Sequence, residues 1–277
     1  MRRLSRSARN LAAPRALLPL VGLGVAFVAG PLIALLAAIP WARVPELVAT
    51  REAQSAFALT LLTASASTAA CATIGVPMAL WMRRWLEIGR PTLVGLAQVL
   101  IYAPLVLSPV VSGLALTFVW GRRGVLGEWL DAAGIPLAYT PWGVIVVQVF
   151  VSLPFFVATA VTALRAIPRS LEEAAATEGA TRAQTLRHIV LPLAAPGVGT
   201  GAVISFARAV SEFGATITFA GNVEGQSRTI PLLISLGLSS GDMDQALGAC
   251  ILLLGVYGIA LGMLAAARML PRGGMRG

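Results

Sequence analysis

Long apolar stretches alternate along the chain with short polar ones. Apolar residues dominate positions 17–39, 57–82, 93–120, 141–164, 194–220 and 246–267. Each stretch offers the roughly 20 residues that a helix needs to cross a bilayer core. The alternating segments of about ten residues that build a membrane barrel do not occur. The pattern predicts an all-α, polytopic membrane bundle of six transmembrane helices. It would fill residues 17–267, between a basic amino-terminal segment at 1–16 and a short tail at 268–277. No soluble module is expected at either end, and the two halves share no motif at a fixed offset. The first apolar run has a basic flank like a secretory signal. It is too long for one and lacks a small-x-small cleavage site before Trp41, so it reads as a retained span. Pro77, Pro104, Pro109 and Pro154 fall inside the expected spans. Kinks along a pathway and plain packing irregularities account for them equally well.

The polar stretches differ in kind. Residues 170–192, SLEEAAATEGATRAQTLRHIVLP, read as two short helices joined at a glycine. Ser170 with Glu173 forms a capping box, and Gly179 is placed to end the first helix. Thr181 with Gln184 repeats the capping pattern, and Pro192 is expected to close the second helix. Such a rigid knob is suited to docking. Within 121–140, Val125, Leu126, Trp129, Leu130 and Ala133 recur at helical spacing, which predicts a short interfacial helix. In 221–244, a segment carrying Asn222, Glu224, Gln226 and Arg228 leads into an apolar run at 230–238. That run is too short to span, and a surface-lying or re-entrant segment is expected.

Composition sharpens this picture. Of 277 residues, 57% are hydrophobic and 12% charged, with a mean hydropathy of +0.82, which excludes an ordinary globular domain. The net charge of +9 invites a nucleic-acid reading, but every basic residue is arginine and their placement is lopsided. Arg2, Arg3, Arg6, Arg9, Arg15, Arg83, Arg84, Arg90, Arg165, Arg169, Arg182, Arg187, Arg268, Arg272 and Arg276 fall on one side of the six-span scheme. Arg43, Arg51, Arg122, Arg123 and Arg228 fall on the other. The positive-inside rule then places both termini and the loop 165–193 in the cytoplasm. The charge excess encodes topology, and no nucleic-acid partner is implied. Cys71 and Cys250 lie inside expected spans, where they are read as buried side chains without metal spacing or a disulfide. His188 reads as a solvated or interfacial side chain. No cofactor is expected, since no Gly-rich GK[ST] loop is present to hold a nucleotide.

Arg208 and Glu212 stand four residues apart in the fifth apolar stretch, on one face of the expected helix. A charge near the bilayer centre costs at least ~2.5 kcal/mol, so both should face the bundle interior. Two readings remain open there. The pair either borders a translocation pathway or is a mutually neutralised packing element.

The residues Glu173-Ala174-Ala175, then Gly179, then nine residues to Ile189-Val190-Leu191-Pro192, resemble the EAA motif of ABC importer permeases. The resemblance implies a type I, MetI-like permease fold in a bacterial inner membrane. It also implies that this loop forms coupling helices seated in a groove of a cytoplasmic ATPase. The coupling residues would then be Glu172, Glu173, Ala174, Ala175, Gly179, Ile189, Leu191 and Pro192. Glu173 is expected to cap the first helix and Gly179 to supply the turn. The string FARAVSEFGATITFAGN, with Gln226, Arg228-Thr229 and Ile230-Pro231-Leu232, is similar to the molybdate and sulfate/thiosulfate branch, closer to molybdate permeases. Ser211 departs from the glycine more usual there. The resemblance implies a pathway beside Arg208, Glu212, Phe213, Gly214 and Thr216. Implied partners are a second copy of the chain, two copies of an ATP-binding subunit, an extracytoplasmic oxyanion-binding protein and membrane lipid. Sulfate, thiosulfate or tungstate are alternative substrates. An ion-coupled secondary transporter or channel is the alternative class, and would need more titratable groups at mid-membrane than this pair. An intramembrane enzyme would need a nucleophile–base or metal cluster within the spans, and none is found.

Overall fold

The computed structural model describes residues 17–269, and among these every regular element is helical. The basic segment 1–16 and tail residues 270–277 lie outside the described residues. The contacts divide the chain into a unit ending at Pro45 and a second beginning at Glu46. In the first unit, α1 (Leu18–Ala38) is apolar almost throughout, as a helix wholly surrounded by lipid would be. The Trp41 indole N–H donates to the Leu36 carbonyl at 3.0 Å after the helix ends.

Next in order come α2 (Val44–Val48), α3 (Arg51–Glu87), α4 (Pro91–Val106), α5 (Pro109–Trp120), α6 (Gly127–Ala132) and α7 (Pro141–Arg165). After them come α8 (Arg169–Thr177), α9 (Arg182–Thr185), α10 (Leu191–Val210), α11 (Gly214–Phe219), α12 (Ile230–Ser240) and α13 (Met243–Met269). α3 has 37 residues, so at about 1.5 Å per residue it is far longer than a ~30 Å hydrocarbon core. Its last turns, carrying Arg83, Arg84 and Glu87, therefore project past the apolar slab. Thr50 starts it, its hydroxyl oxygen accepting the Ala53 N–H at 3.3 Å.

The core of the second unit lies where α3, α7 and α10 pack together. Cys71, Met82, Phe156, Val157, Ala160 and Leu164 are buried there. Close approach explains Gly75 on α3. A side chain at that position would overlap the ring of the fully buried Phe156 and lie 3.3 Å from Val157 Cγ2. Polar residues inside the spans spend their hydroxyls on backbone one turn back. Thr60, Thr63 and Ser67 donate to the carbonyls of Ala56, Leu59 and Ala64 at 2.7, 2.9 and 2.9 Å.

Three expectations about the spans need correcting. The third, 93–120, is broken into α4 and α5, bent by 116° from each other. Pro109 lacks an N–H and pushes Ser108 out of helical geometry (φ −61°, ψ 150°), so one helix cannot continue and Ser108 caps the next. Among the described residues, length and composition thus give five helices able to cross a membrane, or six with the bent pair as one span. The fifth, 194–220, stops at Val210 and resumes as α11. The run at 230–238 forms α12, packed against α13 and α3 with Ile230, Leu232 and Leu233 fully buried. Of the two alternatives expected there, the surface-lying one is thereby excluded and the re-entrant one is not. Thr60 accepts the Ile230 N–H at 2.9 Å, satisfying the buried start of that helix. The expected interfacial helix is only the short α6, on which Trp129 is exposed, while the exposed Val125 precedes it. Cys71 is buried and Cys250 half-buried, and both are free thiols. Gly75→Leu is expected to lower the stability of the purified protein by about 1–3 kcal/mol through overpacking. Gly95→Ala on α4, which meets nothing within 4 Å, should not lower it. Thermal unfolding midpoints in detergent check both.

Candidate functional site

The knob is two helices and a turn. α8 begins after Pro168, whose fixed φ suits a helix start, with no side-chain cap. Ser170 is thus inside the first turn, and the expected Ser170–Glu173 capping box does not form. The reason lies two residues earlier, because Pro168 already breaks the chain there. At the other end Gly179 has φ +84°, its N–H donating to Ala176 O at 3.1 Å while Ala180 N–H reaches Ala175 O at 2.9 Å. This pair of bonds is a Schellman stop, and it needs a residue at ease in the left-handed region. Thr181 then caps α9 as expected. Its hydroxyl accepts the Gln184 N–H at 3.3 Å, and Gln184 Oε1 accepts the Thr181 N–H at 2.8 Å.

Pro192 does not close the second helix. Residues from Arg182 to Val210 run on as one 29-residue helix, with a widened π turn at Leu186–Val190. Pro192 has no N–H to offer His188 O, and its ring would crowd that carbonyl. The π turn makes room, and Leu191 N–H reaches back to Leu186 O. The second helix of the knob is consequently continuous with α10. Just past it, Leu186 and Val190 pack into the apolar cluster that holds Met82, Leu164 and Ile167.

Sequence reasoning misses the residue that ties this knob to α3. Arg83, 8% exposed, pairs with Glu87, Nε to Oε1 at 3.1 Å, and donates through Nη2 to Glu172 Oε1 on α8. In the sequence it reads only as a topology charge, although its i,i+4 spacing to Glu87 is visible. Beside it opens a groove of about 710 Å³ between the end of α3 and the knob, with Trp81, Arg84, Glu173 and Arg182 in its lining. Arg84 lies over the Trp81 ring, 5.6 Å from its centroid. Glu172 and Ala175 are half-buried, and Glu173, Ala174 and Gly179 are exposed. Ile189 and Leu191 are half-buried and Pro192 exposed. His188 is exposed, its Nδ1 3.0 Å from Gln184 O.

The second set gathers at the break after α10. Arg208 and Glu212 do pair, Nη2 to Oε2 at 2.7 Å, but not along one helix. Glu212 sits in the interruption, 1% exposed, and its Oε1 accepts the Ala215 N–H at 2.9 Å, capping α11. Phe213 is exposed, and Gly214 lies against Pro109. Thr216 is buried, and no partner is found for its hydroxyl. Gln148, a lone amide inside an apolar helix, also escapes a reading by sequence; it donates to Ala209 O at 3.2 Å across α7 and α10. Among the described residues no His, Cys, Asp and Glu cluster could hold a metal.

Known proteins match this architecture. Residues 72–272 match the family described as binding-protein-dependent transport system inner membrane component. A molybdenum transport system permease protein of Mycobacterium bovis is 42% identical over 238 residues, 86% of this chain and 88% of that protein. A sulfate transport system permease protein of Escherichia coli is 34% identical over 215 residues, 78% of this chain and 76% of that one. A bacterial ABC transporter that imports the acidic polysaccharide alginate shares the fold with a TM-score of 0.73, at 22% identity over 93% of this chain and 95% of that one. A second crystal structure of such a transporter, in complex with its alginate pentasaccharide-bound periplasmic protein, gives 0.69 at 23% identity, over 93% of this chain and 92% of that one. With a match over most of its length and a relative of this identity, the chain belongs to the family of inner membrane components of binding-protein-dependent transport systems.

Proposed function

We propose that this chain is the membrane-spanning permease of an ATP-driven importer that carries an oxyanion, molybdate before others, into the cell. The observation that carries the reading is mechanical. The second helix of the knob, α9, runs without interruption into α10, which ends at the buried Glu212 hinge. A displacement imposed on the knob is thereby delivered deep into the bundle. The 42% identity to a molybdenum permease supports molybdate as cargo. The 34% identity to a sulfate permease keeps sulfate or thiosulfate as the second reading, with tungstate chemically close to molybdate.

On this reading the spans occupy 17–267, with residues 1–16, the loop 165–193 and the tail 268–277 on the cytoplasmic face, where arginines concentrate. Two copies of the chain pair, so that each presents one knob to one of two ATP-binding subunits. A solute-binding protein delivers the anion to the opposite face; the alginate transporter of the same fold was crystallised in complex with a pentasaccharide-bound periplasmic protein. Glu172, Glu173, Ala174, Ala175, Gly179, Ile189, Leu191 and Pro192 form the docking knob. Arg208, Glu212, Phe213, Gly214 and Thr216 lie beside the pathway. Hydrolysis comes from the separate subunit. ATP-driven closure of the two ATPases draws the knobs together, turns α10 and opens the pathway outward; hydrolysis resets it.

Gly179 separates backbone from surface effects, because a side chain there meets nothing within 4 Å of its own chain. Gly179→Val should abolish most uptake, since a branched residue in the left-handed region costs about 1–3 kcal/mol. Gly179→Asn, which tolerates that region, should keep a substantial part of it. Equal loss in both variants would point to close approach of the partner instead. Cargo is decided by vesicles containing this chain, its ATPase and the binding protein. Labelled molybdate should accumulate with ATP and be competed only weakly by sulfate; the reverse order would favour the sulfate reading.

A further inference from the structure

α8 is the part of the knob whose angle the backbone does least to hold. It is bounded by Pro168 on one side and by the Gly179 turn on the other, and neither link is helical. Its partner α9 is welded to α10, but α8 itself needs another anchor. The side chain that reaches it from a span is Arg83, through Glu172, 89 residues away in sequence.

We infer that Arg83 is a positioning residue that clamps the first coupling helix to α3, so that the second span moves with the knob alongside the fifth. A guanidinium that is 9% exposed persists only if its charge is met. Here Glu87, on the same helix, orients the fork from one edge, and Glu172 takes the other. Glu87 joins nothing new, being one turn away; Glu172 makes the link between elements. The other charged groups facing the groove are Arg84, Glu173 and Arg182. Arg84 lies over Trp81, on the groove side of α3. With the clamp in place, an imposed motion reaches the packed core by two routes: the continuous rod into α10 and the ion pair into α3. Both helices pack against α7, so the two routes converge on it.

This inference deepens the importer reading and rests on it. The test uses the complete complex of permease, ATPase and binding protein in vesicles, with molybdate uptake and phosphate release measured in the same sample. Arg83→Gln and Glu172→Gln should each lower uptake per ATP hydrolysed by about tenfold, the scale of one lost charge-assisted contact. The ATPase should still co-purify with Arg83→Gln. Arg83→Lys, a point charge without the fork, should fall between wild type and Arg83→Gln. The double variant Arg83→Glu with Glu172→Arg should recover part of the ratio, since Glu87 then supports the new arginine from the α3 side. If Arg83→Gln fails to accumulate, Glu172→Gln carries the test, because it leaves Arg83 paired with Glu87. Wild-type ratios in both single variants, or a double variant no better than the worse single one, would overturn the clamp. So would loss of the ATPase from Glu172→Gln, which would make Glu172 a docking contact only. Failure of the wild-type complex to drive molybdate or sulfate uptake with ATP would instead refute the importer reading, whatever the variants do.

Discussion

A hydrogen bond missing from the backbone inside a bilayer has no water to replace it. That constraint organises this chain. It makes every described element a helix, and it dictates what must stand at each place where a helix stops. Ser108 caps α5 just after the bend, Thr140 caps α7 at 3.3 Å from the Gly143 N–H, and Thr60 on α3 receives the first N–H of α12. Glu212 does the same for α11 with a carboxylate. Interruptions near the ends of spans are thus built, and each has a named acceptor. The π turn before Pro192 obeys the same rule in another way. There the helix widens so that a proline can be carried without ending it.

The consequence is a molecule of stiff segments with few joints. α3 and the helix from Arg182 to Val210 are each long enough to carry a displacement from the polar knob into the apolar bundle. Joints lie at Gly179, at Leu107–Ser108 and around Glu212. Close packing at Gly75 and the hydrogen bond from the Gln148 amide to Ala209 O hold α3, α7 and α10 against one another. Rigid transmission needs both features: rods that do not bend, and contacts that leave no slack between them.

Much of this is legible from periodicity. The helices at 141–165 and 243–269 emerge close to their expected limits, whereas α3 overruns the expected 57–82 at both ends into charged turns. The Gly179 stop and the Thr181 box are legible because both are local, settled by a few neighbouring residues. The misread parts are where a local rule meets a longer-range one. Pro192 signals a helix end in isolation, but the π turn and the packing of Val190 and Ala194 into the core carry the helix through. Ser170 matches a capping box that Pro168 pre-empts. The Arg208–Glu212 spacing gives the ion pair correctly but hides the break, since a pair at i,i+4 also fits a chain leaving the helix. Arg83 is invisible as a tether because its partner is 89 residues away, and nothing in a single sequence brings α8 to α3.

If the proposed pathway runs beside the ion pair at the hinge, the pair bears on how an anion would pass. Arg208 retains 29% exposure while Glu212 retains 1%, so an anion on that route would meet the guanidinium's outer edge rather than the carboxylate. The charge it meets is already compensated at 2.7 Å. Capture at such a site is weak, because the anion must compete with a carboxylate that also caps α11 and cannot leave without orphaning the Ala215 N–H. Weakness suits a conduit, where binding must admit the ion without delaying its exit. Glu212 would then serve two needs with one side chain: it fixes the joint between α10 and α11, and on the proposed pathway it would keep Arg208 from becoming a trap.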